Sequence, residues 1–248
     1  MPRKPVRRPV KRKDVSAPES MKPPQEWSGP TLKRAIKPKT KNHAAYLKSM
    51  ADNTITFALG PAGGGKTYMA VGYASSLLAA GAIKKIVLCR PMVQAGETDE
   101  IGFLPGDVSL KAGPFMAPLT DALLDFFSSQ DIDRLMESGA LQVLPISLMR
   151  GKSLRSSFVI VDEAQNCTAK QVRLVLTRIE AGCKVVLAGD QGQSDISHIH
   201  PIDEIADWLT GTIAGPPIAG IGRIKFDYVD NQRDPLITEI DKRMSSRI

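Results

Sequence analysis

The sequence predicts an α/β fold in which a mostly parallel β-sheet is covered by helices on both faces. Short runs that are apolar throughout, such as Phe158–Val161 and Val185–Ala188, alternate with segments of helical character. Strands of a parallel sheet are buried on both faces, so they read as continuous apolar runs. Glycines or acids follow several of these runs directly. Because ligands of such sheets bind outside the carboxyl ends of the strands, we expect the functional residues there.

The individual elements follow from apolar runs, capping residues and turn formers. Strands are expected over Ile55–Leu59, Ile86–Cys89, Leu141–Leu144, Phe158–Val161, Val185–Ala188 and Ile224–Phe226. Helices are expected over Asn42–Met50, Tyr68–Ala80, Pro118–Phe127, Ile132–Ser138, Ala169–Glu180 and Pro235–Met244. Thr168 is expected to cap the helix that follows it, with Gly182 past the helix end. Residues 95–113 are rich in glycine and acids and are expected to form a surface loop.

Residues 60–67 carry the most informative motif of the chain. They read G-P-A-G-G-G-K-T, a complete G-x-x-x-x-G-K-[ST] phosphate-binding loop between an expected strand and an expected helix. The glycines Gly63–Gly65 are expected to adopt backbone conformations closed to other residues and so bring N–H groups against phosphate oxygens, and the helix N-terminus adds a positive dipole end. Lys66 is expected to reach the β- and γ-phosphates, and the Thr67 hydroxyl to ligate Mg²⁺. The expected nucleotide-binding residues are Gly60, Pro61, Ala62, Gly63, Gly64, Gly65, Lys66, Thr67 and Tyr68.

Two adjacent acids end the most hydrophobic predicted strand. Asp162 is placed to hold Mg²⁺ at the mouth of the sheet, and Glu163 to polarise a water in line with the terminal phosphate. The alternative is that the pair only forms a solvated strand end or a helix cap. The matched phosphate loop favours the functional interpretation.

A second polar turn, Gly189–Gln193, follows the next apolar run. Asp190 and Gln193 are candidates to contact the γ-phosphate or the attacking water. An ordinary polar turn between a strand and a helix is the alternative.

The sequence gives little support for a transition-metal site. Asp195, His198 and His200 fall within six residues of one loop, where solvent-exposed histidines are the simpler expectation. The cysteines are far apart and lack C-x-x-C spacing, so reduced thiols in a cytoplasmic protein are expected at Cys89, Cys167 and Cys183. No stretch approaches the length of apolar sequence that a membrane span needs, and the N-terminus has no apolar signal segment. Neither membrane insertion nor secretion is expected.

The positive charge of the chain is concentrated near its N-terminus. Residues 1–39 contain 12 of the 33 lysines and arginines but only three acids, and eight of the 18 prolines. We therefore expect residues 1–39 to be a disordered basic tail and residues 40–248 to be the folded domain. The tail could be a phosphate-backbone arm for RNA or DNA, or a solubilising segment without a ligand.

Several motifs together resemble the PhoH family of P-loop ATPases. The resemblance covers about residues 40–245 and rests on the strings Arg90–Glu97, Gly102–Asp107, Met149–Lys152, Asp162–Asn166 and Gly189-Asp190-x-x-Gln193-x-Asp195. It implies a RecA-like ATPase core related to superfamily 1 helicases, assembled as a homo-oligomeric ring, commonly a hexamer. It also implies an ATPase directed to single-stranded RNA or DNA, with helicase activity proposed for relatives.

The resemblance also implies roles for His43 and Arg233. His43 stands in the adenine-contacting segment, where the family usually has glutamine, so preference for ATP over GTP rests on a weaker base contact. Arg233 matches an arginine near the family's C-terminal end. Because the chain has one phosphate loop, we expect Arg233 to act in trans on a neighbouring subunit. A local ion pair with Asp230 or Asp234 is the alternative.

These observations predict a Mg-dependent ATP-hydrolysing enzyme with Lys66, Glu163, Gln193 and Arg233 as catalytic residues. Two other functions stay open. A P-loop kinase would transfer phosphate to a second substrate and would not need Glu163. A nucleic-acid-binding regulator would use the nucleotide as a switch with little turnover and would bind RNA through residues 1–39.

Overall fold

The computed structural model describes residues 27–91, 119–193, 201–213 and 215–245. Its strands form one sheet: β1 (Ile55–Leu59), β2 (Lys85–Arg90), β3 (Leu141–Pro145), β4 (Ser157–Val161), β5 (Lys184–Gly189) and β6 (Ile221–Lys225). Their order is β3-β2-β4-β5-β1-β6, and each of these pairings is parallel. The predicted parallel sheet is therefore confirmed.

The strand register aligns the carboxyl ends of the central strands. Leu59 at the end of β1 pairs with Gly189 at the end of β5, and Val161 at the end of β4 pairs with Leu187. The turns that follow β1, β4 and β5 therefore leave the sheet side by side at one edge. Because β5 separates β1 from β4, the turn after β5 lies between the phosphate loop and the acid pair.

Helices cover the sheet on both faces. They are α1 (Lys41–Asp52), α2 (Lys66–Ala79), α3 (described over 119–124), α4 (Ser129–Glu137), α5 (Ala169–Leu176), α6 (Ile202–Leu209) and α7 (Pro235–Ser245), with short 3-10 turns at Ile146–Met149, Ala164–Asn166, Gln191–Gln193 and Tyr228–Asp230. Helices α1 to α4 share a first apolar cluster with the sheet, and α5 and α6 share a second. In β4, Phe158 and Ile160 belong to the first cluster, whereas Val159 and Val161 belong to the second. Within the described ranges, no helix has the length and apolarity that crossing a membrane requires.

Helix α5 is shorter than predicted. It ends at Leu176 instead of Glu180. The Thr177 hydroxyl donates to the Leu174 carbonyl (3.3 Å), the acceptor that a continued helix would offer to the Arg178 N–H, which instead donates to the Val175 carbonyl (3.1 Å). A local side-chain hydrogen bond thus accompanies the end of the helix, and apolar periodicity does not reveal it.

Other predicted boundaries also shift. Strand β6 covers Ile221–Lys225 rather than Ile224–Phe226, because its register is set by pairing with β1. The Phe226 N–H donates to the Leu59 carbonyl (2.7 Å) just beyond the strand pair. Helix α3 ends at residue 124, three residues earlier than predicted, and α6 was not predicted. The predicted loop 95–113 and the residues Asp195, His198 and His200 lie outside the described residues.

The folded part of the chain begins before residue 40. Trp27, Leu32 and Ile36 pack against the first apolar cluster. Trp27 Nε1 also donates to Asp131 Oδ1 (3.2 Å) on α4. A Cβ on Gly72 of α2 would lie 2.9 Å from Ile36 Cβ, so helix α2 carries a glycine where this segment crosses it.

The expectation that all of residues 1–39 form a disordered tail is therefore wrong for residues 27–39. The backbone agrees with the side chains, since the Lys33 N–H donates to the Phe126 carbonyl (2.8 Å). A few apolar side chains spaced along a proline-rich segment are enough to dock it on a preformed surface. Residues 1–26 lie outside the described residues, and disorder there stays a prediction.

The cysteines behave as core side chains. Cys89, Cys167 and Cys183 are buried and unbridged. Burial raises the pKa of the Cys183 thiol to about 11 and that of Cys167 to about 12. At neutral pH these groups are therefore neutral thiols with little nucleophilic character.

Replacing Ile36 with alanine is expected to lower the free energy of unfolding by about 1 kcal/mol, because a part-buried apolar side chain no longer packs on the first cluster. Denaturant unfolding of the full chain would measure the change. Lys37→Ala, at the exposed neighbouring position, is the matched control and should stay within about 0.5 kcal/mol of the parent. An Ile36→Ala variant as stable as the parent would show that residues 27–39 do not pack on the domain.

Candidate functional site

The phosphate-binding loop joins β1 to α2 and requires glycine at particular positions. Gly60 and Gly63 have φ angles of +140° and +80°. A Cβ on Gly60 would lie 2.3 Å from the Phe226 carbonyl oxygen, and one on Gly63 would lie 2.5 Å from Asn231 Oδ1. The segment after β6 therefore packs directly on the loop. Gly64 has neither a positive φ nor such a clash, so the expectation that it needs a special backbone conformation is wrong.

Lys66 begins α2, and its ammonium group lies beneath the loop. Its Nζ donates to the carbonyls of Gly60 (2.6 Å) and Pro61 (2.7 Å), and the residue is only 8% exposed. Burial lowers the pKa of Lys66, while the charges of Asp190 and Glu163 act in the opposite direction. The backbone carbonyls of Gly60 and Pro61 thus accept the hydrogen bonds of the buried Lys66 ammonium group.

A side-chain hydrogen bond joins the loop to the acid strand. Thr67 Oγ1 donates to Asp162 Oδ1 (2.5 Å). Asp162 is 7% exposed, and its Oδ2 accepts from Arg90 Nη2 (2.5 Å) and Nε (3.2 Å). The structure therefore brings the two predicted magnesium ligands together and adds Arg90 behind them. Arg90 had no predicted role, although it opens one of the strings that resemble the PhoH family.

Glu163 is held in an uncommon backbone conformation. Its φ of 53° and ψ of 41° are left-handed, which costs a non-glycine residue on the order of 1 kcal/mol. Gln165 Nε2 donates to Glu163 Oε2 (2.6 Å), and Arg90 Nη2 lies 3.7 Å from Oε1. The side chain is 42% exposed, so water can reach the carboxylate. Strain of this kind is typical of a position whose side-chain direction matters for function.

Gln165 is a site residue that sequence reasoning missed. It is only 2% exposed. Its amide donates to Glu163 and to the Gln193 carbonyl (3.5 Å), while its Oε1 accepts from the Asp190 N–H (3.0 Å). One side chain therefore ties the acid pair to the turn after β5. The only signal in the sequence was its place in the string Asp162–Asn166.

Asp190 connects the turn after β5 to the phosphate loop. Its Oδ2 accepts from the Ala62 N–H (2.7 Å) and its Oδ1 from the Gly192 N–H (3.1 Å). Burial raises the pKa of Asp190, and the Lys66 ammonium acts in the opposite direction. The carboxylate thus holds the loop backbone in its conformation and lines the cavity beside Lys66.

These groups surround a cavity of about 600 Å³, a volume in the range of small-molecule sites. Of the predicted site residues, those that line it are Ala62, Gly63, Gly65, Lys66, Thr67, Tyr68, Asp162, Glu163, Asp190, Gln193 and Arg233. Predicted residues that do not line it, as far as the structure describes the chain, are Gly60, Pro61, Gly64 and His43. Lining residues that sequence reasoning did not single out as site residues are Leu119, Asp121, Ala122, Asp125, Ala188, Gly189 and Gln232.

His43 supports the phosphate loop from beneath. It is 2% exposed; its Nδ1 accepts from the Lys39 N–H (3.2 Å) and its Nε2 donates to the Gly64 carbonyl (2.9 Å). Its ring also packs against Phe226, with ring centroids 5.9 Å apart. Because both ring nitrogens are already bonded within the chain, the structure contradicts the predicted contact with the nucleotide base.

Arg233 lines the cavity of its own chain. Its N–H donates to Asn231 Oδ1 (2.8 Å), and the Gln232 N–H donates to the Gly63 carbonyl (2.9 Å), so this segment is fixed to the loop. After burial, the charge of Arg233 is a further cause that lowers the pKa of Lys66. The placement argues against the expected action in trans, since the arginine already lies beside the phosphate site of the same chain.

Asp230 fixes this segment against the start of α1. It is fully buried and accepts from Thr40 Oγ1 (2.5 Å), Asn42 Nδ2 (2.7 Å) and the Asp227 N–H (2.9 Å). Burial alone would raise the pKa of Asp230, but the hydrogen bonds from Asn42 and Thr40 lower it below the usual range. Both carboxylate oxygens are thus engaged, and the alternative ion pair of Asp230 with Arg233 is not formed.

The oxygen atoms of Thr67 and Asp162 fit a magnesium ion. Mg²⁺ prefers oxygen ligands and usually binds through one or two protein groups, with waters and phosphate oxygens completing its shell. The adjacent hydroxyl and carboxylate supply such a pair. Among the residues that the structure describes, no group of three or more histidines, cysteines or acids could hold a metal ion by itself.

Comparison with known proteins agrees with the motif strings. The model of the PhoH-like protein family matches residues 35–245. The chain is 41% identical over 209 residues to a PhoH-like protein of Bacillus subtilis (strain 168), which covers 84% of this chain and 63% of that one. It is 44% identical over 206 residues to a PhoH-like protein of Synechocystis sp., covering 83% of this chain and 61% of that one. The chain thus spans about three fifths of the length of these curated relatives.

A solved structure supports the fold. The large terminase from a thermophilic bacteriophage, in complex with ADP, matches with a TM-score of 0.51 at 13% identity, covering 83% of this chain and 50% of that one. A likeness at this identity concerns the fold alone, and it agrees with the predicted α/β fold, a parallel sheet covered by helices on both faces. With a family match over residues 35–245 and the motif strings in place, the chain belongs to the PhoH-like protein family.

Proposed function

We propose that this chain is a Mg-dependent ATPase. The observation that carries the proposal is the hydrogen bond between Thr67 and Asp162. It places a phosphate loop, two oxygen ligands for Mg²⁺ and the adjacent carboxylate of Glu163 around one cavity. A loop that only bound phosphate would not need the second acid at this position.

Each group has a distinct role in this proposal. The loop N–H groups and the N-terminus of α2 bind the phosphates, and Lys66 exchanges its carbonyl partners for phosphate oxygens. A magnesium ion held by Thr67 and Asp162 would neutralise charge on the β- and γ-phosphates. Glu163 accepts the proton of the attacking water. Arg233, with Gln193, stabilises the charge that develops on the transferred group.

The surroundings of Glu163 favour hydrolysis over phosphate transfer to a second substrate. Gln165 and Arg90 hold the carboxylate of Glu163 beside the cavity, and the backbone of this residue is strained. A P-loop kinase would have no use for an oriented base at this position. A nucleotide-switched regulator that binds nucleotide without turnover would not need an oriented base, so it would not explain the strained backbone at Glu163.

We also propose that the ATPase is a homo-oligomer, a hexameric ring, that acts on single-stranded RNA or DNA as a helicase-type motor. Membership of the family supports this assignment. Helix α7 adds a physical argument, because Leu236, Ile240 and Met244 are 66%, 45% and 61% exposed. Side chains spaced by four residues lie along one side of a helix, and an exposed apolar row of this kind favours contact with another protein surface.

ATP hydrolysis by the full chain, measured as phosphate release with and without single-stranded RNA, tests the proposal. Lys66→Ala is expected to abolish nucleotide binding or turnover. Glu163→Gln should still bind ATP but lose on the order of 10² to 10⁴ in rate, because the general base is gone. Undiminished turnover in Glu163→Gln would reassign the base, and a parent protein that binds ATP without hydrolysing it would favour the regulator.

Gln165→Met is expected to lower kcat by on the order of 10², because the carboxylate of Glu163 loses the group that orients it. The KM for ATP should change little, since Gln165 does not line the cavity among the described residues. Steady-state kinetics would separate the two parameters. Gln142→Met, on β3, is a matched control with no contact to the site. A proportional rise in KM with unchanged kcat would contradict an orienting role.

Arg233→Ala is expected to lower kcat by about 10³ if the arginine acts on its own chain's nucleotide. Mixing Arg233→Ala subunits with Glu163→Gln subunits should then recover no activity, because each chain lacks one of its own groups. Phosphate release from the mixture is the measurement, and co-purification of differently tagged subunits confirms that they assemble. Activity in the mixture would instead establish action in trans.

A further inference from the structure

A second cavity lies on the opposite face of the sheet from α1 and α2. It has a volume of about 520 Å³ and runs between the 3-10 turn Ile146–Met149 and helix α5. We call it the basic groove and define it by the cations Arg150, Lys170 and Arg173 and the polar residues Ser147, Gln171 and Thr177. Both of its walls leave the sheet at the carboxyl ends of strands, since the turn follows β3 and α5 follows the acid pair after β4, and β2 lies between these two strands.

The charge of the basic groove is unbalanced. Its lining includes three cations and no carboxylate. Within the described ranges, none of the three forms an ion pair, whereas other exposed cations do, for example Arg155 with Glu180. Like charges gathered in a concave surface repel one another and focus a positive potential there. Such an arrangement favours an anionic ligand that neutralises several charges at once.

We propose that the basic groove binds the phosphodiester backbone of a single-stranded nucleic acid. This inference rests on the proposed function, because it places the nucleic-acid partner of the ATPase. Lys170 and Arg173 are three residues apart on α5 and lie on one side of that helix. The Gln171 amide and the Ser147 hydroxyl in the groove can also donate to phosphate oxygens.

The dimensions of the groove favour a single strand over a duplex. Helix α5 has eight residues, so its length is about 12 Å, enough for a short stretch of backbone. Leu148, 44% exposed on the adjacent turn, offers an apolar surface that an unpaired base can contact. A paired base would be turned into the duplex and could not reach it.

The basic groove is connected to the ATPase site by a short stretch of chain. Lys170 follows Gln165 by five residues, and the 3-10 turn Ala164–Asn166 contacts β5. Gln165 in turn bonds Glu163 and the N–H of Asp190. A strand bound against α5 therefore presses on the segment that orients the catalytic base, which gives a physical route for stimulation of hydrolysis.

Binding of a fluorescent oligouridylate to the full chain, followed by anisotropy without ATP at several salt concentrations, tests the proposal. For a single strand, log K decreases with log salt, and the magnitude of this negative slope decreases by about 0.7 for each phosphate that the protein no longer neutralises. The triple variant Arg150→Ala, Lys170→Ala, Arg173→Ala should therefore reduce that slope by about 2 and weaken binding. The slope also separates the groove from any contribution of residues 1–26, which all variants retain.

The matched control removes three exposed cations elsewhere, with Lys37→Ala, Lys84→Ala and Arg134→Ala. It should keep the parent slope and affinity. Thermal unfolding confirms that both triple variants fold. An unchanged slope in the groove variant would overturn the proposal. Tighter binding of a duplex than of the single strand would also overturn it. So would displacement of the oligonucleotide by polyglutamate at the same total charge, because the groove would then bind any polyanion. Since binding is measured without ATP, failure of ATP hydrolysis in the parent would refute the proposed function and leave this result standing.

Oligothymidylate of the same length distinguishes the two chemical forms of the ligand. Equal slopes and affinities for the two oligonucleotides are expected, because the groove contacts the backbone rather than the sugar hydroxyl. Binding of either oligonucleotide that is insensitive to the groove variant would show that the strand lies elsewhere on the protein.

Discussion

The hydrogen bond from Thr67 to Asp162 is the interaction on which the site depends. It joins residues that follow β1 and β4, the two strands on either side of β5. It can form only because these parallel strands end at the same edge of the sheet. A hydrogen bond to a charged group contributes about 1.5–3 kcal/mol, enough to hold the start of α2 against the acid turn. Arg90 completes the arrangement by engaging the other oxygen of Asp162. The phosphate loop and the acid pair are thereby parts of one rigid edge.

A continuous chain of hydrogen bonds extends from that edge. It runs from the carboxylate of Glu163 through Gln165 to Asp190 and from there to the Ala62 N–H in the phosphate loop. Each partner is confined by the next, so the orientation of the base and the shape of the loop are coupled. The left-handed backbone at Glu163 persists because this chain and Arg90 determine where its carboxylate lies. In the proposed ATPase, loss of the γ-phosphate would act on this same network.

The start of α1 and the turn after β6 meet beneath the phosphate loop, and no local sequence pattern predicts these contacts. Asp230 binds Thr40 and Asn42 across 190 and 188 positions, and His43 bonds the Gly64 carbonyl. Residues 27–39 were predicted to belong to the disordered tail because their composition is basic and proline-rich. Three apolar side chains of this segment nevertheless pack on the first apolar cluster: Trp27, Leu32 and Ile36. Composition reports an average, whereas docking depends on a few side chains and a surface supplied by distant helices. The base contact of His43 was implied by the family resemblance, which carries no information about the hydrogen bonds that both ring nitrogens form within this chain.

The sequence by itself determined the succession of strands and helices along the chain apart from α6, the parallel sheet, and the phosphate-loop motif of residues 60–67 with the adjacent acids Asp162 and Glu163. Apolar runs, caps and the loop motif are local, so a short window of residues carries them. Only the tertiary structure decided which cavity Arg233 lines, that Gln165 bridges two turns, and that Arg150 shares a groove with α5. Those facts depend on strand order and on the packing of distant segments. Spacing along the chain does not specify either, because it contains no information about which turns become neighbours in space.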